Sequence, residues 1–203
     1  MLTVYHLPRT RSLRVIWLLE ELGISYRVEK LTIPVSEEYL AINPLGSVPM
    51  IEDEGVRLCD SIAILEYLTE TRGEGARLTV HADGDRTAYA RHLQFLHFGE
   101  ADLATPLSAV FRTRMTTKDD AHSNPTLDEL MRQLTKRLTF LDRQFEDGRT
   151  YVTGEHFTIA DISVGYALGR AQTMDLGDLM TGRLVNYLSR LQVRPAYKRA
   201  ADK

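Results

Sequence analysis

The stretch GSVPMIEDEGVRLCDSIAILEYL, residues 46–68, places a proline where a strand should begin and an acid–hydroxyl pair where a helix should begin. VPMIED and VRLCD are short runs of strand formers joined through a turn at Gly55, the pattern of a hairpin. SIAILEYLTETRG (61–73) has helical spacing and ends on Gly73. A proline lacks the backbone donor that a paired strand uses, so Pro49 requires a reason. A cis Val48–Pro49 bond supplies one. It turns the chain so that the N–H and C=O of Val48 are not spent inside the sheet. Both groups still need partners, and an extended peptide ligand can provide them as a short added strand. The helix start beside them offers free N–H groups and a positive dipole end to a carboxylate, while Asp60 suits an ammonium group.

On the N-terminal side, LTVYHL (2–7) reads as a strand stopped by Pro8. SLRVIWLLEELG (12–23) reads as a helix, with Ser12 as its cap and Gly23 as its terminator. SYRVEKLTI (25–33) alternates as a second strand, and SEEYLAI (36–42) is a short helix capped by Ser36. The order through residue 77 is β-α-β-α-β-β-α. A helix joins the first two strands, which are therefore expected to be parallel.

Beyond a linker at 78–86 only helical periodicity remains, so 87–203 is expected to form an all-helical domain. The expected helices cover 85–115 with an interruption near Pro106, then 126–148, 158–174, 176–194 and 195–203. Thr158 and Asp161 have capping-box spacing, and Phe157 and Ile162 occupy the staple positions. The fold class is therefore α/β followed by all-α.

Composition narrows the function. Twenty-five basic and 28 acidic residues give a net charge of −3, which argues against a general nucleic-acid binder. No apolar run approaches the ~20 residues of a membrane span. A single cysteine, Cys59, permits no intrachain disulfide and fits a reducing compartment, so a cytoplasmic location is expected. The histidines form no metal-ligand pattern, and no metal is expected.

NPLGSVPMIED, CDSIAILEYL, RSLRVIWLLEELG, FTIADISVGYAL and the terminal RPAYKRA, in this order and spacing, resemble the cytosolic glutathione transferases over essentially the whole chain. The resemblance implies a thioredoxin-like N-terminal domain that binds glutathione. By it, Val48 pairs with the cysteinyl part, Pro49 fixes the turn, and Asp60 and Ser61 hold the γ-glutamyl end. The family often carries Lys or Gln where this chain has Ser47, a departure that removes one carboxylate contact. Three arrangements for activating the thiol stay open: the Thr10 and Ser12 hydroxyls in the loop after strand one, Tyr5 within that strand, or main-chain groups with Arg11. The resemblance further implies a homodimer. It also implies a small apolar electrophile, bound between the domains against the first long helix of the second. Glu100, Ala104, Leu107, Phe111 and Met115 are the expected contacts. The expected reactions are thiolate attack on that electrophile and reduction of organic hydroperoxides. The competing reading is a protein on the same fold that binds glutathione or an apolar ligand without turnover.

Overall fold

The computed structural model describes residues 1–73, 77–116 and 124–203. The chain divides into two compact units, Met1–Leu78 with Gln192–Lys203, and Thr79–Leu191.

The first unit contains β1 (Leu2–His6), α1 (Ser12–Leu22), β2 (Tyr26–Lys30), α2 (Glu37–Ile42), β3 (Met50–Asp53), β4 (Val56–Cys59) and α3 (Ser61–Arg72). The sheet order is β2-β1-β3-β4. β1 and β2 are parallel, with Val4 opposite Val28, and the other pairs are antiparallel. Side chains alternate across β1. Leu2, Val4 and His6 are buried, and Thr3 and Tyr5 are half-buried on the other face. Val15, Ile16, Trp17, Leu18 and Leu19 of α1 and Ile64, Leu65 and Leu68 of α3 are wholly buried. Each such side chain contributes about 1.5–3 kcal/mol by leaving water. Gly23 ends α1 at φ +66°, a left-handed terminator that its lack of a Cβ permits. Ser36 caps α2 by accepting from the Tyr39 N–H, as its position in the sequence implies.

The second unit contains α4 (Arg86–Phe98), a π-helical turn (Gly99–Ala104), α5 (Thr105–Thr116), α6 (Pro125–Arg143), α7 (Ile159–Thr173), a 3-10 turn (Gly177–Leu179) and α8 (Gly182–Gln192). The helix expected at 85–115 is thus broken by the π turn, and Pro106 is the second residue of the helix that follows. A proline cannot donate to the carbonyl four residues back, so the wider turn in front of it absorbs the mismatch. The helix expected at 176–194 begins only at Gly182. α7 is buried at every position from Ile159 to Leu168, and its Thr158–Asp161 capping box is formed. The π turn and α7 approach closely at Gly99, where an added Cβ would lie 2.4 Å from Ser163 Oγ. Ser163 in turn donates to the Leu96 carbonyl at 2.7 Å.

The expected 87–203 domain requires a correction at its end. α9 (Pro195–Ala201) belongs to the first unit and packs on α1. The Tyr197 ring meets Trp17 edge-on at 4.9 Å. Arg194 grips Glu21 with two bonds of 2.6 and 2.8 Å, and Arg199 reaches Glu20 at 2.5 Å. These contacts join residues more than 170 positions apart, which local periodicity cannot register. Among the described residues no helix is long and apolar enough to cross a membrane.

Candidate active site

β1 ends at His6, and the chain turns through Leu7–Arg11 into α1. Ser12 does not cap this helix, contrary to the sequence reading. Arg11 holds the cap position and makes no side-chain cap bond. Ser12 is the first helical residue and is completely buried, with its hydroxyl turned toward the end of β1. Its Oγ lies 2.8 Å from His6 Nδ1, 2.7 Å from Thr10 Oγ1 and 3.2 Å from the Leu7 carbonyl. Thr10 Oγ1 also donates to the Leu7 carbonyl at 2.7 Å. The two hydroxyls therefore form a pair in which only Thr10 is partly exposed. His6 lies behind them, its pKa held below the ordinary value by burial and then by the Lys30 charge.

Tyr5 points elsewhere. Its hydroxyl donates to Glu52 Oε2 at 2.9 Å. Because Thr3 is the residue paired with Glu52, this is a diagonal cross-strand contact that leans back toward the start of β1. Burial and the Glu52 carboxylate both push the Tyr5 phenol up, so its proton is firmly held.

The Val48–Pro49 bond is cis, as is Ile33–Pro34, which lies beyond β2 because that strand ends at Lys30 and not at the expected residue 33. The loop before Pro49 is held by residues that the sequence reading passed over. Tyr39 Oη and Asn43 Nδ2 donate to the Ser47 carbonyl at 2.6 and 2.8 Å. Gly46 donates to the Asn43 carbonyl and sits at φ +59°, which a side chain would disfavour. Pro49 is buried, Val48 half-buried and the Ser47 side chain exposed. Among the described residues the Val48 main chain makes no hydrogen bond. The signal for Asn43 was its place before a proline in a turn; for Tyr39, only the tertiary contact reveals it.

At the start of α3, Asp60 has φ 75° and caps the helix itself. Its Oδ1 accepts from the Ile62 and Ala63 N–H groups at 2.9 and 3.1 Å. Those two donors are therefore not available to a ligand carboxylate, which corrects the simple picture of an open helix terminus. Ser61 compensates. It is buried, and its Oγ accepts from Arg14 Nη1 at 3.0 Å, so the hydroxyl proton can be donated outward with a guanidinium behind it. Arg14 is fully buried, which is rare for arginine. Sequence reasoning missed it, although Arg14, Leu18 and Leu22 occupy one stripe of α1 and a cation there interrupts an apolar row. Cys59 is half-buried, and burial and Asp60 push its thiol up, which leaves it a poor nucleophile.

Thr10, Ser12, Val48, Pro49, Asp60 and Ser61 all belong to the first unit, at the loop after β1, the entry to β3 and the start of α3. The expected electrophile contacts belong to the second. There Glu100 accepts from Thr105 Oγ1 at 2.9 Å, Ala104 and Leu107 are buried in the unit's core, and Phe111 and Met115 are 47% and 72% exposed. Among the described residues no group of His, Cys, Asp and Glu is placed to hold a metal ion.

A mixed four-stranded sheet with a cis-proline at the entry to β3, together with a separate helical unit, defines a protein of thioredoxin-like plus all-α architecture. Family models sharpen this. The glutathione S-transferase N-terminal domain matches residues 1–70, and the glutathione S-transferase C-terminal domain matches 124–200. The chain belongs to the glutathione S-transferase family. Among relatives, Glutathione S-transferase 3 of Schizosaccharomyces pombe is 25% identical, over 100% of this chain and 88% of its own length. Among solved structures, a glutathione transferase family member from Pseudomonas fluorescens Pf-5, with two glutathione bound, has a TM-score of 0.86 at 24% identity, covering 98% of this chain and 92% of that one. A glutathione transferase from Pseudomonas putida, with one glutathione disulfide bound per subunit, has a TM-score of 0.85 at 23% identity, covering 98% and 90%.

Proposed function

We propose that the chain is a glutathione transferase that ionises the glutathione thiol and directs the sulfur at a small apolar electrophile. The observation that carries this reading is the partly exposed Thr10 hydroxyl backed by the buried Ser12 hydroxyl. A free thiol with a pKa near ~8.5 is only a few per cent ionised at neutral pH, so a donor aimed at the sulfur is the main requirement. Thr10 meets it, with Ser12 acting from behind. Tyr5 does not, because its proton is given to Glu52. The family membership, and the glutathione or glutathione disulfide bound in similar structures, support the same co-substrate.

The remaining roles follow from the donors present. The Val48 N–H and C=O pair with the cysteinyl main chain of glutathione, held at the turn by Pro49 and by the anchored Ser47 carbonyl. Ser61 donates to the γ-glutamyl carboxylate, with the Arg14 charge behind it, and the Asp60 carboxylate meets the ammonium group. Arg11 adds positive charge near a tripeptide of net negative charge, and the exposed Ser47 hydroxyl flanks the site. In the transfer step the sulfur–carbon bond forms as the leaving group departs with its electron pair, the thiol proton having already passed to solvent. Phe111 and Met115 offer apolar surface for the electrophile, with Glu100 at their border, while Ala104 and Leu107 support the helix from within. Reduction of organic hydroperoxides by the same thiolate, a homodimeric assembly and a cytoplasmic setting complete the reading. The N-terminal residues 1–77 act as the glutathione domain and the helical residues as the electrophile domain.

The test is a pH titration of bound glutathione by thiolate ultraviolet absorbance. A hydrogen bond to a charged acceptor is worth about 1.5–3 kcal/mol, or about 1–2 pKa units. The wild type is expected to ionise well below the free thiol, Thr10→Ala to raise the value by about 1 unit, and Tyr5→Phe to leave it unchanged. An unshifted thiol in the wild type removes the catalytic reading and leaves a glutathione-binding protein.

A further inference from the structure

Nothing in the proposed chemistry yet uses His6. It is 3% exposed, its Nδ1 lies 2.8 Å from Ser12 Oγ, and its Nε2 is buried with no partner among the described residues. Burial and the nearby Lys30 disfavour the imidazolium, so the ring is neutral at pH 7 and carries one proton. On Nε2 that proton would make a buried N–H without an acceptor. On Nδ1 it makes a good bond to Ser12 and leaves only a lone pair unmet at Nε2. Orphaned buried donors are the rarer and costlier case.

We infer that His6 is a positioning residue whose Nδ1–H, donated to Ser12, fixes the direction of the hydroxyl pair toward the glutathione sulfur. Ser12 accepts from His6 and passes its own proton to Thr10 Oγ1 at 2.7 Å, the shorter of its two outlets, the Leu7 carbonyl at 3.2 Å being the longer. Thr10, now accepting from Ser12, has its proton for donation. In this structure the proton goes to the Leu7 carbonyl, and it turns to a thiolate when one is present. Hydrogen bonds chained in one direction polarise one another, so Thr10 becomes a stronger donor than an isolated hydroxyl. The other tautomer reverses the chain: Ser12 donates inward to Nδ1 and gives Thr10 nothing. The inference rests on the reading of Thr10 as the donor to sulfur.

Long-range proton–nitrogen correlation on the whole labelled protein at pH 7 reads the His6 tautomer directly. Nδ1–H is the expected result, and Nε2–H overturns the inference. His6→Leu is expected to raise the bound thiol pKa by about 0.5 unit, roughly a threefold loss of thiolate relative to thiol, with glutathione still bound. Thr10→Ala separates the two ideas. If Thr10→Ala raises the thiol pKa and His6→Leu does not, the positioning role fails and the Thr10 reading stands. If Thr10→Ala leaves the thiol unchanged, both fail. Should His6→Leu not fold, the tautomer decides.

Discussion

Replacing Asp161 by Asn tests how the second unit is held together. Asp161 Oδ1 accepts from the Val152 N–H at 3.0 Å and the Tyr187 hydroxyl at 2.8 Å. Its Oδ2 accepts from the Thr158 N–H at 2.8 Å and the Thr158 hydroxyl at 3.3 Å. Burial pushes the carboxyl up to about 6, so at pH 8 the group is ionised and all four bonds reach a charged acceptor. An amide has one oxygen. If it stays on the Thr158 N–H, the new NH2 faces the Val152 N–H. If it turns round, the Thr158 N–H is stranded instead. Tyr187 can reverse its hydroxyl to accept, but a main-chain N–H cannot. One orphaned buried donor costs about 1–3 kcal/mol, and weakening of the surviving bonds brings the loss to about 3 kcal/mol. For a chain of this size each kcal/mol moves Tm by about 2–4 °C, so Asp161→Asn should melt about 6–12 °C lower. Thermal unfolding by circular dichroism at pH 8 measures it. A fall under about 2 °C would mean that the amide is fully accommodated and that the four-donor account is wrong.

Two further outcomes follow from single contacts. Ser61→Ala should weaken glutathione binding about tenfold by calorimetry, because it deletes the donor proposed for the ligand carboxylate and the acceptor of Arg14 Nη1; an unchanged Kd would place that carboxylate elsewhere. His92 is buried, and that burial, helped by the charges of His81 and His97, lowers its pKa to about 4. The unfolded chain takes up this proton near ~6.5, so the stability is present above that pH and is lost as pH falls toward 4. His92→Gln should flatten the acid limb of a denaturation-versus-pH curve by up to about 3 kcal/mol, and an unaltered slope would show that another group carries it.

The fold was largely legible because its signals are local. The Gly23 stop, the Ser36 cap and the Thr158–Asp161 box each act within a few residues and are found where they were read, and the period-two and period-3.6 patterns place the elements, though not every boundary. The Asp60–Ser61 helix start was legible for the same reason, whereas a cis Val48–Pro49 bond was one explanation of the proline that only the folded chain decides. What escaped depends on neighbours distant in sequence. The direction of Tyr5 is set by Glu52 across two strands, and Ser12 is drawn from the capping role by His6 and Thr10. Arg14 and His6 are polar residues inside apolar rows, and a one-dimensional pattern reads such residues as surface. The interruption near Pro106 was read from the proline, but its π-helical form and the return of α9 to α1 lie outside any periodicity.

That return of α9 makes the helical unit, in topological terms, an insertion within the other. Residues 192–203 follow the whole of the second unit in the order of synthesis, yet they cover Trp17 and tie down Glu20 and Glu21. The sheet unit can therefore reach its final packing only after the unit made in between has left the ribosome. Until then the Trp17 face of α1 is a temporary apolar surface on a nascent chain. The twelve residues that cover it act as a latch, and they leave the sheet unit dependent on sequence far outside its own contiguous stretch.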